Sequence, residues 1–141
     1  MEIILVTLLG ICAVYDLRSR TIPAVWVWGC LGSMLVYRLC LLTGGKSNIE
    51  ETFICMLPGL VLIVFSYLGG QIGEGDGWLI IACGLCLSWE NVIKGLSYAF
   101  GAAGIWGMGY LLFAHRRKND KIPFIPSLFL GMVFVVAGEI L

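Results

Sequence analysis

Two carboxylic acids stand where a charge is costly. Asp16 closes the first apolar run of the chain. Asp76 ends Gly73-Glu74-Gly75-Asp76, a polar and glycine-rich interruption of a sequence that is otherwise strongly apolar. Ionised carboxylates at membrane depth are rarely kept without a task. Two of them sharing a site cannot easily both ionise, so one keeps its proton and the other serves as general base. The base takes a proton from a water held between them, and the water attacks a carbonyl. The protonated partner donates to the carbonyl oxygen and later to the leaving nitrogen. Such chemistry needs neither a metal nor a covalent intermediate. Gly73 and Gly75 would let the backbone leave helical geometry and let a neighbouring element approach Asp76 closely.

The rest of the chain favours this chemistry by elimination. Catalytic zinc takes about three protein ligands, yet His115 is the sole histidine and stands among cations in His115-Arg116-Arg117-Lys118. A serine or cysteine nucleophile would have to use that same histidine as its base. Cys12, Cys30, Cys40, Cys55, Cys83 and Cys86 all lie in apolar runs, where cysteine behaves as a small hydrophobe. Cys83 and Cys86 have the spacing of half a zinc site, but no second such pair accompanies them, so no metal and no cofactor are expected. Structural roles remain open for the acids themselves. Asp16 could pair with Arg18 or Arg20, and Asp76 could cap the helix that follows it. Glu74 is either a third acid of the site or a solvated loop residue.

These acids must be positioned by membrane helices. The chain is 60% hydrophobic and only 13% charged, with a mean hydropathy of +0.96, about half the charge of a soluble domain. Its apolar residues fall in six runs: about Glu2–Tyr15, Ala24–Leu42, Thr52–Leu68, Trp78–Trp89, Val92–Ala114 and Phe124–Leu141. The expectation is an all-α integral membrane protein, a bundle of six transmembrane helices in one domain over residues 1–141, with the fourth helix short. Pro23 suits the first turn of the second helix. Trp26 and Trp28 are expected as interfacial anchors, Arg38 as a side chain that snorkels to the far surface, and Gly101, Gly104 and Gly107 as a close-packing face of the fifth helix. Glu90 and Glu139 are expected at the interface opposite the two acids. The first run lacks a basic leader and a small-residue cleavage site, as expected of a retained helix rather than a signal peptide.

Charge sets the expected orientation. Arg18 and Arg20 follow the first run, and Arg116, Arg117, Lys118 and Lys121 follow the fifth; the opposite loops hold only Lys46 and Lys94. The positive-inside rule then places both basic loops, and with them Asp16 and Asp76, at the cytoplasmic face of the plasma membrane, with both termini outside. A formal net charge of zero argues against nucleic acid as a partner.

Three stretches carry a resemblance. Gly73-Glu74-Gly75-Asp76 resembles the signature of the GxGD-type membrane aspartyl proteases. Asp16-Leu17-Arg18-Ser19-Arg20-Thr21-Ile22-Pro23 resembles the first catalytic motif of the type IV prepilin peptidases. Lys121-Ile122-Pro123-Phe124-Ile125-Pro126, followed by Gly131, is similar to the segment with which those peptidases enter their last helix. The resemblance implies catalytic roles for Asp16 and Asp76, a motif role for Gly73 and Gly75, and prepilin-like precursors as partners. Such precursors carry a short, usually basic leader ending in Gly, then an apolar helix, and are cut after that Gly on the cytoplasmic side. Many members carry Lys where this chain has Trp78, and Asn where it has Ala24. The larger bifunctional members also methylate the new N-terminus and carry an extra N-terminal region with paired cysteines. The expectation here is a small, peptidase-only member. Two alternatives are a non-catalytic relative that binds pilins, against which both acids argue, and a small ion-coupled transporter. The transporter class often shows internal repeats, and no convincing repeat is seen here.

Overall fold

The computed structural model describes residues 2–19, 22–69, 74–113 and 124–141. These form six α-helices: α1 (Glu2–Ser19), α2 (Ala24–Thr43), α3 (Ile49–Gly69), α4 (Glu74–Cys86), α5 (Trp89–Phe113) and α6 (Ile125–Ile140). No strand occurs among the described residues. Helices α2, α3 and α5, of 20, 21 and 25 residues, are long and apolar enough to cross a membrane. α6 is apolar but has 16 residues, and α1 carries Glu2, Asp16 and Arg18 within its 18. The six crossings expected from hydropathy thus reduce to three helices that meet the requirement by length and composition.

The local reasons for these helices are ordinary. Pro23 precedes α2 with φ −58° and ψ 126°, an extended geometry that halts any helix before it. α2 ends where Gly45 turns left-handed at φ +66°, which glycine adopts without steric penalty. There the Gly44, Gly45 and Lys46 amides bond back to the carbonyls of Cys40, Leu42 and Leu41. Glu50 and Glu51 occupy the first turn of α3, where the helix dipole favours negative charge.

α4 is the centre of the bundle. It has only 13 residues, and Gly77 and the unbroken run Leu79–Leu85 are buried. A helix that is apolar all round needs protein on every side. α3 and α2 flank it, and α1 and α5 touch it. The α3–α4 contact is a backbone contact. A Cβ placed on Gly59 would lie 2.8 Å from the Gly77 carbonyl oxygen, and one on Gly84 would collide with the Cys55 carbonyl oxygen. Close approach through small residues is how membrane helices gain dispersion contact. α5 and α6 meet in the same way: a Cβ on Gly131 would collide with the Gly95 carbonyl oxygen. Gly101 and Gly104, expected to form this seam, have nothing within 4 Å. The short α6 begins level with Phe100, whose ring meets that of Phe124 at 5.5 Å, so the later part of α5 runs past it.

One further expectation changes. Arg38 does not snorkel: it is 6% exposed. Its Nε donates to Thr52 Oγ1 at 2.8 Å and it pairs with Glu51 at 3.9 Å, because α3 passes within reach of its guanidinium. Glu139, near the C-terminal end of α6, has partners on two other helices. It accepts from Asn91 Nδ2 and shares a hydrogen bond with Glu2, tying together α1, α5 and α6. Glu90 pairs with Lys94 at 3.8 Å on the surface.

Candidate active site

Asp16 lies in the last turn of α1 and is 9% exposed. The backbone amide of Ile125 donates a hydrogen bond to its carboxylate. The reason lies in how α6 begins. The first amides of a helix have no partner within it, and Phe124, which precedes α6, has no side-chain acceptor to offer. Asp16 supplies the cap from another helix. α1 and α6 run antiparallel with this bond at one end and the Glu2–Glu139 bond at the other. Between them, Gly10 leaves room for the Phe129 ring, which a Cβ there would meet at 3.1 Å.

Asp76 lies in the first turn of α4, as does Glu74. The helix therefore starts inside the Gly-Glu-Gly-Asp stretch rather than after it, and Asp76 is inside the helix rather than its N-cap. Gly77, next along, presses against α3, where a Cβ would lie 2.5 Å from Ile63 Cγ1. This contact sets the height of Asp76 in the bundle. On the other side, a Cβ on Gly75 would come within 3.9 Å of Ile22 Cδ1, so the residue before Pro23 rests against the glycine before Asp76. The ends of α1 and α4 are thereby brought together, and the charge of Asp16 acts on Asp76.

Both acids lie at helix ends, outside the three long apolar helices. The Asp76 carboxyl is pushed up to about 7, first by burial and second by the charge of Asp16. Asp16 is also raised by burial, and the Ile125 amide pulls it back. Asp16 is the more covered at its surface, but Asp76 has the greater depth of protein around it, and depth governs the cost of a charge. Two carboxyl groups of which one keeps its proton are the kind of pair that can activate water for attack on a carbonyl.

The other sequence candidates fall as follows. Glu74 is exposed, Gly75 is half-buried and Pro23 is exposed; it is Ile22 that lies beside Gly75 in the Asp76 stretch. Gly73 lies outside the described residues, as do Arg20 and the basic cluster at 115–121. Trp78 is half-buried, and its ring sits 5.5 Å from that of Trp28; Trp26 meets Tyr15 at 6.0 Å. Two of the expected interfacial anchors thus pack on other rings. Sequence reasoning gave no role to the Ile125 amide, since a backbone donor leaves no trace in residue type. It also passed over Ser66, buried on α3 one turn beyond Ile63. Among the described residues no group of three or more His, Cys, Asp or Glu could hold a metal ion.

Comparison with known proteins adds independent evidence. The sequence pattern of the type IV leader peptidase family matches residues 3–117, a stretch that includes both acids. The chain belongs to the type IV leader peptidase family. Among curated relatives of this leader peptidase family member, the prepilin leader peptidase/N-methyltransferase of Haemophilus influenzae is 28% identical over 123 residues. That alignment takes in 86% of this chain and 51% of the relative, so the chain spans about half the length of the curated relative it matches. No solved structure matches the chain. The Trp78 ring is accommodated here by that of Trp28.

Proposed function

We propose that the protein is a prepilin leader peptidase that cuts precursors with a metal-free pair of aspartates, Asp16 and Asp76. The observation that carries this reading is that the charge of Asp16 acts on Asp76 at one end of the bundle, in a chain of the leader peptidase family. One carboxylate takes a proton from water, the water attacks the peptide carbonyl, and the other carboxyl protonates the carbonyl oxygen. The substrate is a prepilin-like precursor whose apolar helix packs alongside the bundle in the bilayer while its leader reaches the acids.

All six helices cross or enter the plasma membrane in this reading, and α4 is carried inside as a short helix. The acids face the cytoplasm, where the charges Arg18 and Arg20 and the 116–121 cluster favour that side, and both termini lie outside. The deciding experiment co-expresses the protein with a prepilin encoded nearby and follows the precursor's size. Shortening by the wild type and none by Asp76→Asn is the expected result. A precursor left intact by the wild type, with its leader and glycine in place, would remove the peptidase reading and favour a pilin-binding relative.

A further inference from the structure

We propose that the protein thins the bilayer on one flank: the phospholipid surface is drawn down to the two acids along α1, α6 and the start of α2, and keeps its ordinary height along α5. The inference rests on the chain's residence in a membrane and not on the cleavage chemistry.

The two flanks differ in apolar height. From Glu2 to Asp16, α1 rises only about 21 Å. α6, with 16 residues, is about 24 Å long. Both turn apolar side chains outward, among them Ile3, Val14 and Phe134, yet a hydrocarbon core is about 30 Å thick. α5 has 25 residues, about 36 Å of helix, and carries no charge after Lys94.

The whole difference falls at the acid end, because the far ends are level. Asn91, near the start of α5, bonds Glu139 near the end of α6, and Glu139 shares a hydrogen bond with Glu2. At the acid end Phe100 meets Phe124, and α5 continues about 20 Å beyond. Among the described residues nothing lies against Gly101, Gly104 or Gly109, and Ile105, Trp106, Leu111, Leu112 and Phe113 are exposed. So apolar a surface belongs in hydrocarbon rather than water.

On the other flank the same height is polar. α1 passes from Asp16 to the exposed Arg18 and Ser19. Rings collect at the level of the acids: Tyr15 on Trp26 at 6.0 Å, and Trp28 on Trp78 at 5.5 Å, with Tyr15 and Trp28 exposed. Tryptophan and tyrosine settle at headgroup level, which on this flank is the level of the acids. A short apolar span is met by lipid that thins around it. A rigid tilt would not serve, since levelling the acid ends would lift the start of α5 out of the opposite surface. Thinning lets water and the polar part of a peptide reach the acids at the lipid surface, without a passage through hydrocarbon.

Depth measurements on the full-length protein in phosphatidylcholine vesicles test this. Three forms each keep one exposed native tryptophan, Trp28, Trp106 or Trp89, with Trp→Phe at the others. Lipids brominated at graded depths along the acyl chain then quench each one. By the helix axes Trp106 lies about 12 Å further toward the acid-end surface than Trp28. Trp28 should nonetheless be quenched best by the bromines nearest the headgroup, at a depth no greater than that of Trp106. Strongest quenching of Trp28 from the chain ends would mean a flat surface at the height of Phe113, and overturns the proposal. Trp89 should also be shallow; a Trp89 that no brominated lipid quenches would mean a tilted bundle, and overturns it too. Cysteine labelling keeps every tryptophan in place. In a Cys40→Ser background, which removes the exposed native thiol, a charged maleimide should label Leu17→Cys and leave Ile105→Cys untouched. Labelling of both, of neither, or of Ile105→Cys alone overturns the proposal even if the tryptophan variants do not fold. Neither measurement needs a precursor, so failure of the wild type to cut one would count against the peptidase reading alone.

Discussion

The charge of Asp16, on the last turn of α1, reaches Asp76, on the first turn of α4. Two helices that are not neighbours in sequence bring their acids within electrostatic reach because α2 and α4 run side by side in the same direction, with Trp28 against Trp78 and Ile22 beside Gly75. In the proposed reaction the acids act as one unit, so removing either should do as much damage as removing both. Asp16→Asn, Asp76→Asn and the double variant should each lose at least about a thousandfold in cleavage rate while still inserting into membranes. Single-turnover cleavage of a purified precursor measures this, and a double variant much slower than either single one would mean that the acids act separately.

Stability should depend on pH through Asp76. Burial and, second, the charge of Asp16 push its carboxyl up to about 7 in the folded protein, against an ordinary value of 3.8. The folded state thus holds a proton that the unfolded chain has released across that window. The stabilisation from the protonated group is complete below about pH 4 and is lost as pH rises through 7. Thermal melts in detergent should show Tm falling between pH 5 and pH 8, with a clearly flatter profile for Asp76→Asn. Equal slopes for the two proteins would place the proton elsewhere.

The glycines of α4 and α5 should respond in opposite ways. Gly84→Ala drives a methyl into the Cys55 carbonyl, where backbone must shift, and overpacking of this kind costs about 1–3 kcal/mol. Gly101→Ala meets open space and should be neutral or stabilising by up to about 1 kcal/mol through helix propensity. Melts of the two variants side by side decide the point.

Arg38 and Glu51 should be unequal partners. Arg38 is buried, whereas the Glu51 side chain is 44% exposed. Glu51→Ala leaves a buried cation with only Thr52 for company and should cost about 1–3 kcal/mol, whereas Arg38→Met removes the buried charge and should stay within about 1 kcal/mol of the wild type. The reverse ranking in thermal melts would mean that the ion pair itself supplies the stability.

Much of this protein was legible in its sequence. Six apolar runs became six helices, because hydropathy and glycine or proline punctuation are local properties that survive any packing. Asp16 and Asp76 stood out because a carboxylate in apolar surroundings is conspicuous wherever it ends up, and the three motif stretches pointed to the family that the comparison then established. Helix lengths were less legible. Glu74 and Asp76 read as a polar break, yet they start α4, since acids and small residues suit a first turn.

Only the tertiary structure decided who meets whom. Gly95 and Gly131 form the α5–α6 seam while Gly101 and Gly104 face open space, although all four are equally glycine, because the short α6 reaches only the first half of α5. Arg38 is buried instead of snorkelling because α3 brings Thr52 and Glu51 to it. The bond from the Ile125 amide to Asp16 could not be read from residue types at all: every residue but proline carries that N–H, and only the antiparallel packing of α1 on α6 aims this one at a carboxylate. Residue type determines which groups are costly to leave alone, and the packing of helices distant in sequence determines which partner relieves them.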